Sequence, residues 1–416
     1  MRNAVTAAFF AAAALWAAAC EESKQAPLPA PPIVDRPALV TDAAAPVPTL
    51  TPTPTTPAPT PAAEAEILIG EVGPLTGAQA TFGDSTHKGI ELAVRLVNER
   101  GGVKGQKLRV RLVDDKGKPE LAAAAVEQLA SESKVALVLG EATSAPSIAM
   151  AEVAEKLKVP MISHAATSPK VTEGHAYVFR VCFTDPFQGL VMAKFVREKL
   201  SLTKVAVLKD AKNDYSTGLA QSFVARFKAA GGKVLKEETY NAGDLDFRVQ
   251  LTSIKAAGAE AIYVPGYYGD VAQVARQAKA MGLSTPLLGG DGWSSEKLTA
   301  VGGAAIEGSY FSDHYSTQDP SPRTQEFVAE YRAAYGGSEP DSFAALGYDA
   351  LRVAANALAR AKSLSADDLR DAIASTRDFE GVTGSITIDG KHDAAKPAVV
   401  LKVQGGKPVY QTTVAP

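Results

Sequence analysis

From Glu66 onward the chain alternates between two hydrophobic periods, and this alternation limits what it can fold into. ILIGEV (67–72) reads as a strand, and the helix after it carries Ile90, Ala93, Val94 and Val97 at the i, i+3, i+4, i+7 positions. KLRVRLVDD (107–115) follows, then a helix with Ala122, Ala125, Val126 and Leu129 on one face. Strand VALVLG, a helix with Met150, Val153, Ala154 and Leu157, and strand VPMIS complete the set. A second set starts after Pro186, with strands KVAVLKD, KVLKEETY and AEAIYVPG separated by helices, ending in one that carries Val271, Val274, Ala275 and Ala278. Repeated strand-helix units predict an α/β fold with parallel sheets covered on both faces. In both sets a helix ends at a double glycine, Gly101-Gly102 and Gly231-Gly232, and feeds a strand, as two related lobes would.

At 416 residues, 46% hydrophobic and 21% charged, the chain can fill two domains behind a non-globular front end. A net charge of -3 and the lack of a dense basic stripe argue against nucleic acid as a partner. The front end begins with Arg2 and an apolar run from Ala4 to Ala19, broken only by Thr6, that stops in small residues at Cys20. This reads as a signal peptide over residues 1–19, too short for a spanning anchor of about 20 apolar residues. It resembles the lipobox of bacterial lipoproteins, which implies lipid on Cys20 and a membrane partner through that lipid. Ala17 stands where that pattern more often has Leu, so cleavage to a plain secreted protein stays open. Residues 20–65, rich in Pro, Ala and Thr, read as an extended tether. With Cys20 lipidated, the second of two cysteines, Cys182 in YVFRVCF, has no partner and reads as a small core residue.

In open parallel sheets ligands bind beyond the carboxyl ends of the strands. In the first lobe those ends are GPLTGAQATFGD (73–84), GEATSAPS (140–147) and HAATSP (164–169). They offer Ser144, Ser147, Thr167 and Ser168, with small residues that leave backbone N–H groups approachable, chemistry suited to a carboxylate. In the second lobe KDAKNDYSTG (209–218), PGYYGD (265–270) and GGDGWS (289–294) offer Tyr215, Tyr267, Tyr268, Asp291 and Trp293, a negative charge among aromatic walls. Together they fit a zwitterion. The chain has no GxSxG, HExxH, P-loop or GxGxxG after the first strand, and its five histidines lack metal-ligand spacing. No sequence cue supplies Ser144 with a base. No catalytic residue, metal or cofactor is assigned.

The order ILIGEVGPLTGAQATFGD, NERGGVKGQKLRVRLVDD, GEATSAPS, VPMISHAATSP, YVFRVCFTDPFQG, NDYSTGLA, AEAIYVPGYYGD and LLGGDGWSS resembles the periplasmic leucine/isoleucine/valine-binding proteins, receptor subunits of ABC amino-acid importers. The likeness covers about residues 66–416. It implies a type I periplasmic binding protein fold, two Rossmann-like lobes joined by three hinge crossings. The lobes would be residues 66–185 with 315–396, and 186–314 with 397–416. It also implies a monomer in the periplasm, with permease and ATPase subunits as partners. By position, Ser144, Thr167 and the backbone of Ala165 and Ala166 match the groups that hold an α-carboxylate. Tyr267 and Asp291 match those that hold an α-ammonium, and Phe82, Tyr215 and Phe343 would wall the side-chain pocket.

Two positions depart from that pattern, since the branched-chain binders commonly carry Glu and Tyr where this chain has Asp291 and Phe82. The ligand's identity therefore stays open, with amides, urea and aromatic acids as alternatives to a branched-chain or similar apolar amino acid. Bland readings also stand: Tyr215 and Phe343 as core aromatics, Phe82 packed under its own loop, Asp291 as a helix cap. Three functions remain, an importer's binding protein, a ligand-sensing flytrap that regulates a receptor, and a secreted enzyme. The last needs a reactive group that the sequence does not present.

Overall fold

The computed structural model describes residues 66–416. The signal sequence, Cys20 and the tether lie outside the described residues. Five strands, β1 (Glu66–Gly73), β2 (Lys107–Asp114), β3 (Val138–Leu139), β4 (Met161–Ser163) and β5 (Val178–Arg180), alternate with α1 (Ala80–Glu99), α2 (Pro119–Ser131) and α3 (Ser144–Leu157). They form one parallel sheet in the order β2-β1-β3-β4-β5. Ile67, Ile69 and Val72 of β1 are buried, as a central strand covered on both faces requires.

The second series runs α4 (Asp185–Glu198), β6 (Lys204–Asp210), α5 (Asp214–Ala229), β7 (Lys233–Tyr240), α6 (Arg248–Ala257), β8 (Ala261–Tyr263), α7 (Tyr268–Ala280), β9 (Leu287–Gly289), α8 (Glu296–Gly302) and β10 (Tyr310–Asp313). Then come α9 (Pro322–Ala334), α10 (Ser342–Arg360), α11 (Ala366–Ala374) and a small antiparallel sheet of β11 (Phe379–Gly381), β12 (Gly384–Ile388) and β13 (Ala394–Ala395). β14 (Ala398–Gln404) and β15 (Lys407–Val414) close the chain. The second large sheet has the order β15-β14-β10-β9-β8-β6-β7.

The parallel cores predicted from sequence are present, and β14 and β15 add an antiparallel edge to the second. Gly405 and Gly406, at φ +61° and +73°, make the tight turn between these two strands. VALVLG and AEAIYVPG contribute only Val138–Leu139 and Ala261–Tyr263 to their ladders. An apolar run reports burial, and burial extends past the hydrogen-bonded residues. The chain leaves the first sheet for the second from β5 to α4, leaves the second from β10 to α9 for α10, which packs on α1, and returns to it from β13 to β14.

Glycines bring α1 and α10 together in the first lobe. A Cβ on Gly89 would lie 1.9 Å from the Ala344 carbonyl oxygen, and one on Gly347 would lie 2.4 Å from that of Thr86. This approach stacks Phe82 on Phe343 with ring centroids 4.0 Å apart. Asp341 starts α10 by accepting a hydrogen bond from the Ala344 N–H at 2.9 Å.

Candidate functional site between the lobes

The strand-end segments of both sheets meet at one place, where Ala142 to Ser144, Ala165 to Thr167, Tyr215, Tyr267, Asp291, Gly292 and Phe343 border a single gap. It encloses about 190 Å³ of space between atoms, of which about 10 Å³ is clear, room for one water. Eight of the nine residues singled out from sequence line it. Phe82 stands one layer back, stacked on Phe343 and set edge-on to Tyr267 at 5.9 Å. Four of the nine sit on the first turns of helices rather than in open loops, Phe82 on α1, Ser144 on α3, Tyr215 on α5 and Phe343 on α10. Ser147 turns away and bonds Glu141 through backbone groups, and the Trp293 indole donates to Val264 in the core.

The first-lobe face is made of donors without acceptors. The Thr167 hydroxyl is buried and has no hydrogen-bond partner among the described residues. Neither have the N–H groups of Ala165, Ala166 and Thr167. Ser144 opens α3 and borders the gap, which places the positive end of that helix beside it. Arg180, at the end of β5 and wholly buried, holds this loop in place. Its guanidinium donates to the carbonyls of Ala166 at 2.7 Å and Ser168 at 2.8 Å and to the Thr172 hydroxyl at 2.9 Å, while Asp393 lies 2.7 Å from its Nε. In a trans peptide the C=O and the following N–H point in opposite directions. With the Ala166 carbonyl drawn to Arg180, the Thr167 N–H faces away from it.

The second-lobe face is built from side chains. Asp291 is buried in a single turn of 3₁₀ helix after β9. Its Oδ1 accepts from the Gln188 amide at 2.7 Å and the Tyr215 hydroxyl at 2.9 Å, and its Oδ2 lies 3.2 Å from His314 Nε2. Burial pushes the His314 pKa down to about 4 against the pull of Asp291, so a neutral ring donates its Nε2–H there. A carboxylate offers about four acceptor positions, which leaves one on Oδ2 for a further donor. The helix-cap reading of Asp291 does not hold, because Ser295 caps α8 instead. Tyr215 and Tyr267 stack at 5.2 Å beside the carboxylate, and burial raises both phenol pKa values.

Sequence reasoning missed Arg180, Gln188, His314 and Asp185. A lone cation inside the apolar strand YVFRVCF was the available cue for Arg180, and nothing local distinguished the other three. Asp185 begins α4 with neither carboxylate oxygen hydrogen-bonded, and burial raises its pKa to about 8. Cys182 is a buried free thiol, pushed up to about 12 by burial, in keeping with a core role. His87 bonds Glu71 at 2.9 Å and His392 bonds the Val178 carbonyl at 3.1 Å. No group of His, Cys, Asp and Glu among the described residues could hold a metal.

The two sides also touch directly. The Tyr268 hydroxyl donates to the Ala78 carbonyl at 2.6 Å, Ser342 to Ser294 at 2.9 Å, and Lys170 pairs with Asp214 at 2.6 Å. The cleft is shut.

The family described as periplasmic binding protein matches residues 66–407. The chain belongs to that family. The "Leu/Ile/Val-binding protein homolog 3" of Brucella melitensis is 32% identical over 82% of this chain and 93% of its own length. The leucine-binding protein LivK of Thermotoga maritima superposes with a TM-score of 0.81 at 38% identity, covering 84% of this chain and 99% of its own. LivJ of Streptococcus pneumoniae, a branched-chain amino acid transporter substrate-binding protein solved with isoleucine, gives 0.80 and 37% over 84% of this chain and 100% of its own. The type I periplasmic binding protein fold is thus the fold of this chain. These relatives are binding proteins rather than enzymes, LivJ that of a transporter.

Proposed function

We propose that this periplasmic binding protein serves an ABC importer, taking a free amino acid, branched-chain or similarly apolar, into the interlobe cleft and delivering it to the permease. One observation carries the reading: unpaired donors on the first-lobe face stand opposite the single open acceptor of Asp291 on the other. A zwitterion satisfies both faces at once, its carboxylate at Ala165 to Thr167 and Ser144, its ammonium at Asp291 with Tyr267 alongside. Charge-assisted hydrogen bonds of this kind contribute about 1.5 to 3 kcal/mol each. Phe343 and Tyr215 receive the side chain, with Phe82 packed behind Phe343, and each buried methylene adds about 0.8 kcal/mol. Leucine should therefore exceed alanine by roughly 2 kcal/mol, or about thirtyfold.

A gap clear for one water cannot admit an amino acid, so entry requires the lobes to part. The lobes are residues 66–185 with 315–396 and residues 186–314 with 397–416, hinged at the three crossings. Exposed contacts such as Lys170 with Asp214 contribute about 1 kcal/mol or less. The ligand's contacts to both faces supply the differential affinity that favours closure. Lipid on Cys20 and the tether would keep the body at a membrane while leaving it reach.

Calorimetry of the purified protein against the twenty amino acids and simple amides tests the reading. Tight binding of a branched-chain or similar apolar amino acid supports it, and binding only of ligands lacking an ammonium would remove Asp291 from its assigned role. Mass spectrometry of the mature N-terminus, with Cys20→Ala as control, tests the lipid.

A further inference from the structure

A second concentration of charge lies at the far end of α10. Phe343 stands in the first turn of that helix at the cleft, and Arg360 ends it, 17 residues or roughly 25 Å away at 1.5 Å per residue. Arg352, Asn356 and Arg360 lie four apart on one helix face, and with Arg323, Arg377 and Glu380 they line an open cavity of about 460 Å³.

The charges in this cavity do not cancel. Four guanidinium groups line it against two carboxylates, Asp378 and Glu380. Arg323 pairs with Glu380. The carboxylate nearest Arg352 is Asp349, 3.9 Å away and already engaged by the Val382 and Thr383 N–H groups and the Thr383 hydroxyl. Arg360 donates only to neutral groups: the Asn356 amide oxygen, the Ser375 and Thr376 hydroxyls and the Ala372 carbonyl. Arg377 donates through Nη1 to the carbonyls of Ala374 and Thr376.

Neutral partners fix a guanidinium in space without neutralising it. Arg352 is further held over the rings of Tyr348 and Phe379, at 5.4 and 5.2 Å. The Nε and Nη2 donors of Arg352 and Arg377 meet no acceptor among the described residues. Burial without a counterion also lowers the Arg360 pKa from its ordinary value. Positioned cations, free planar donors and a concavity larger than a single ion needs are the parts of a phosphate site.

We infer that this cavity binds a multivalent anion of the phosphate class, either free or carried on a lipid headgroup. Its lining charge, net +2, matches a dianion, and the length of α10 separates it from the amino-acid cleft.

The test titrates the full-length protein with inorganic pyrophosphate at fixed ionic strength in a calorimeter. Saturable binding is expected, weakened at least about tenfold in the Arg352→Gln/Arg377→Gln double variant. Arg377→Gln alone changes an exposed side chain and should fall between the two while unfolding at the wild-type temperature, which separates lost anion binding from lost fold. A parallel arm sediments the protein with phosphatidylcholine vesicles containing phosphatidic acid. Vesicle binding that pyrophosphate displaces and the double variant lacks assigns the site to a headgroup, whereas pyrophosphate binding without vesicle binding assigns it to a free anion. Absence of saturable binding to either probe at millimolar concentration, or binding equal in wild type and variants, overturns the inference.

Discussion

The two faces of the cleft present opposite polarity by different means. The first-lobe face uses backbone N–H groups and one hydroxyl, and its chemistry changes little with side-chain identity so long as the loop keeps its shape. The second-lobe face uses one carboxylate and the three side chains that orient it, Gln188, Tyr215 and His314. Backbone recognition therefore depends on what positions the loop, and side-chain recognition depends on the residue itself. Arg180 and Asp291 are the points at which each can be broken.

The largest effect is expected at Asp291. Asp291→Ala removes the one carboxylate that borders the gap among the described residues, and L-leucine affinity should fall about ten- to a hundredfold by calorimetry with the unfolding temperature little lowered. Unchanged affinity would place the ammonium elsewhere. Next is Arg180→Met, which frees the carbonyls of Ala166 and Ser168 and leaves Asp393 without its cation. Leucine binding should weaken about tenfold or more, and the preference for leucine over leucinamide should shrink, since the loop serves the carboxylate. Equal losses for the two ligands would reduce Arg180 to a structural residue.

A pH effect on stability comes third, from the seam between the faces. Asp185, raised to about 8 by burial, keeps its proton in the folded state over a range where the unfolded chain has lost it. The folded state then binds more protons, so stability falls as pH rises towards 8. Asp313, raised to about 7 by burial, acts in the same sense. His314, lowered to about 4, acts in the opposite sense below about pH 6.5, which leaves roughly pH 6.5 to 8 as the clear window. Melting temperatures should decline across it, and Asp185→Asn should flatten the decline. A decline of equal slope in the variant would assign the effect to other groups. The smallest effect is expected for Phe82→Tyr, which adds a hydroxyl one layer behind the gap and should move leucine affinity by no more than about threefold.

Much of the architecture was legible in the chain. The α/β repeat and the strand-end loops follow from local hydrophobic period, and eight of nine chosen residues border the gap because the strand-end segments of the two sheets converge there. Phe82 stands one layer behind the gap, and nothing in GPLTGAQATFGD shows that two glycines on α1 and α10 draw Phe343 in front of it. The antiparallel β14 went unread because its partner β10 lies far back in the chain, and β15, which pairs with β14 alone, went unread with it.

The sequence by itself determined the alternation of strands and helices, the two-lobed class and the residue types at the cleft, because those follow from patterns within about a dozen residues. Only the tertiary structure decided which groups cooperate there. Gln188 meets Asp291 across 103 positions, and Arg180 reaches Asp393 through a fully buried guanidinium. Such pairings arise because a buried charge or unpaired donor must find a partner wherever folding brings one, and hydrophobic period carries no record of that choice.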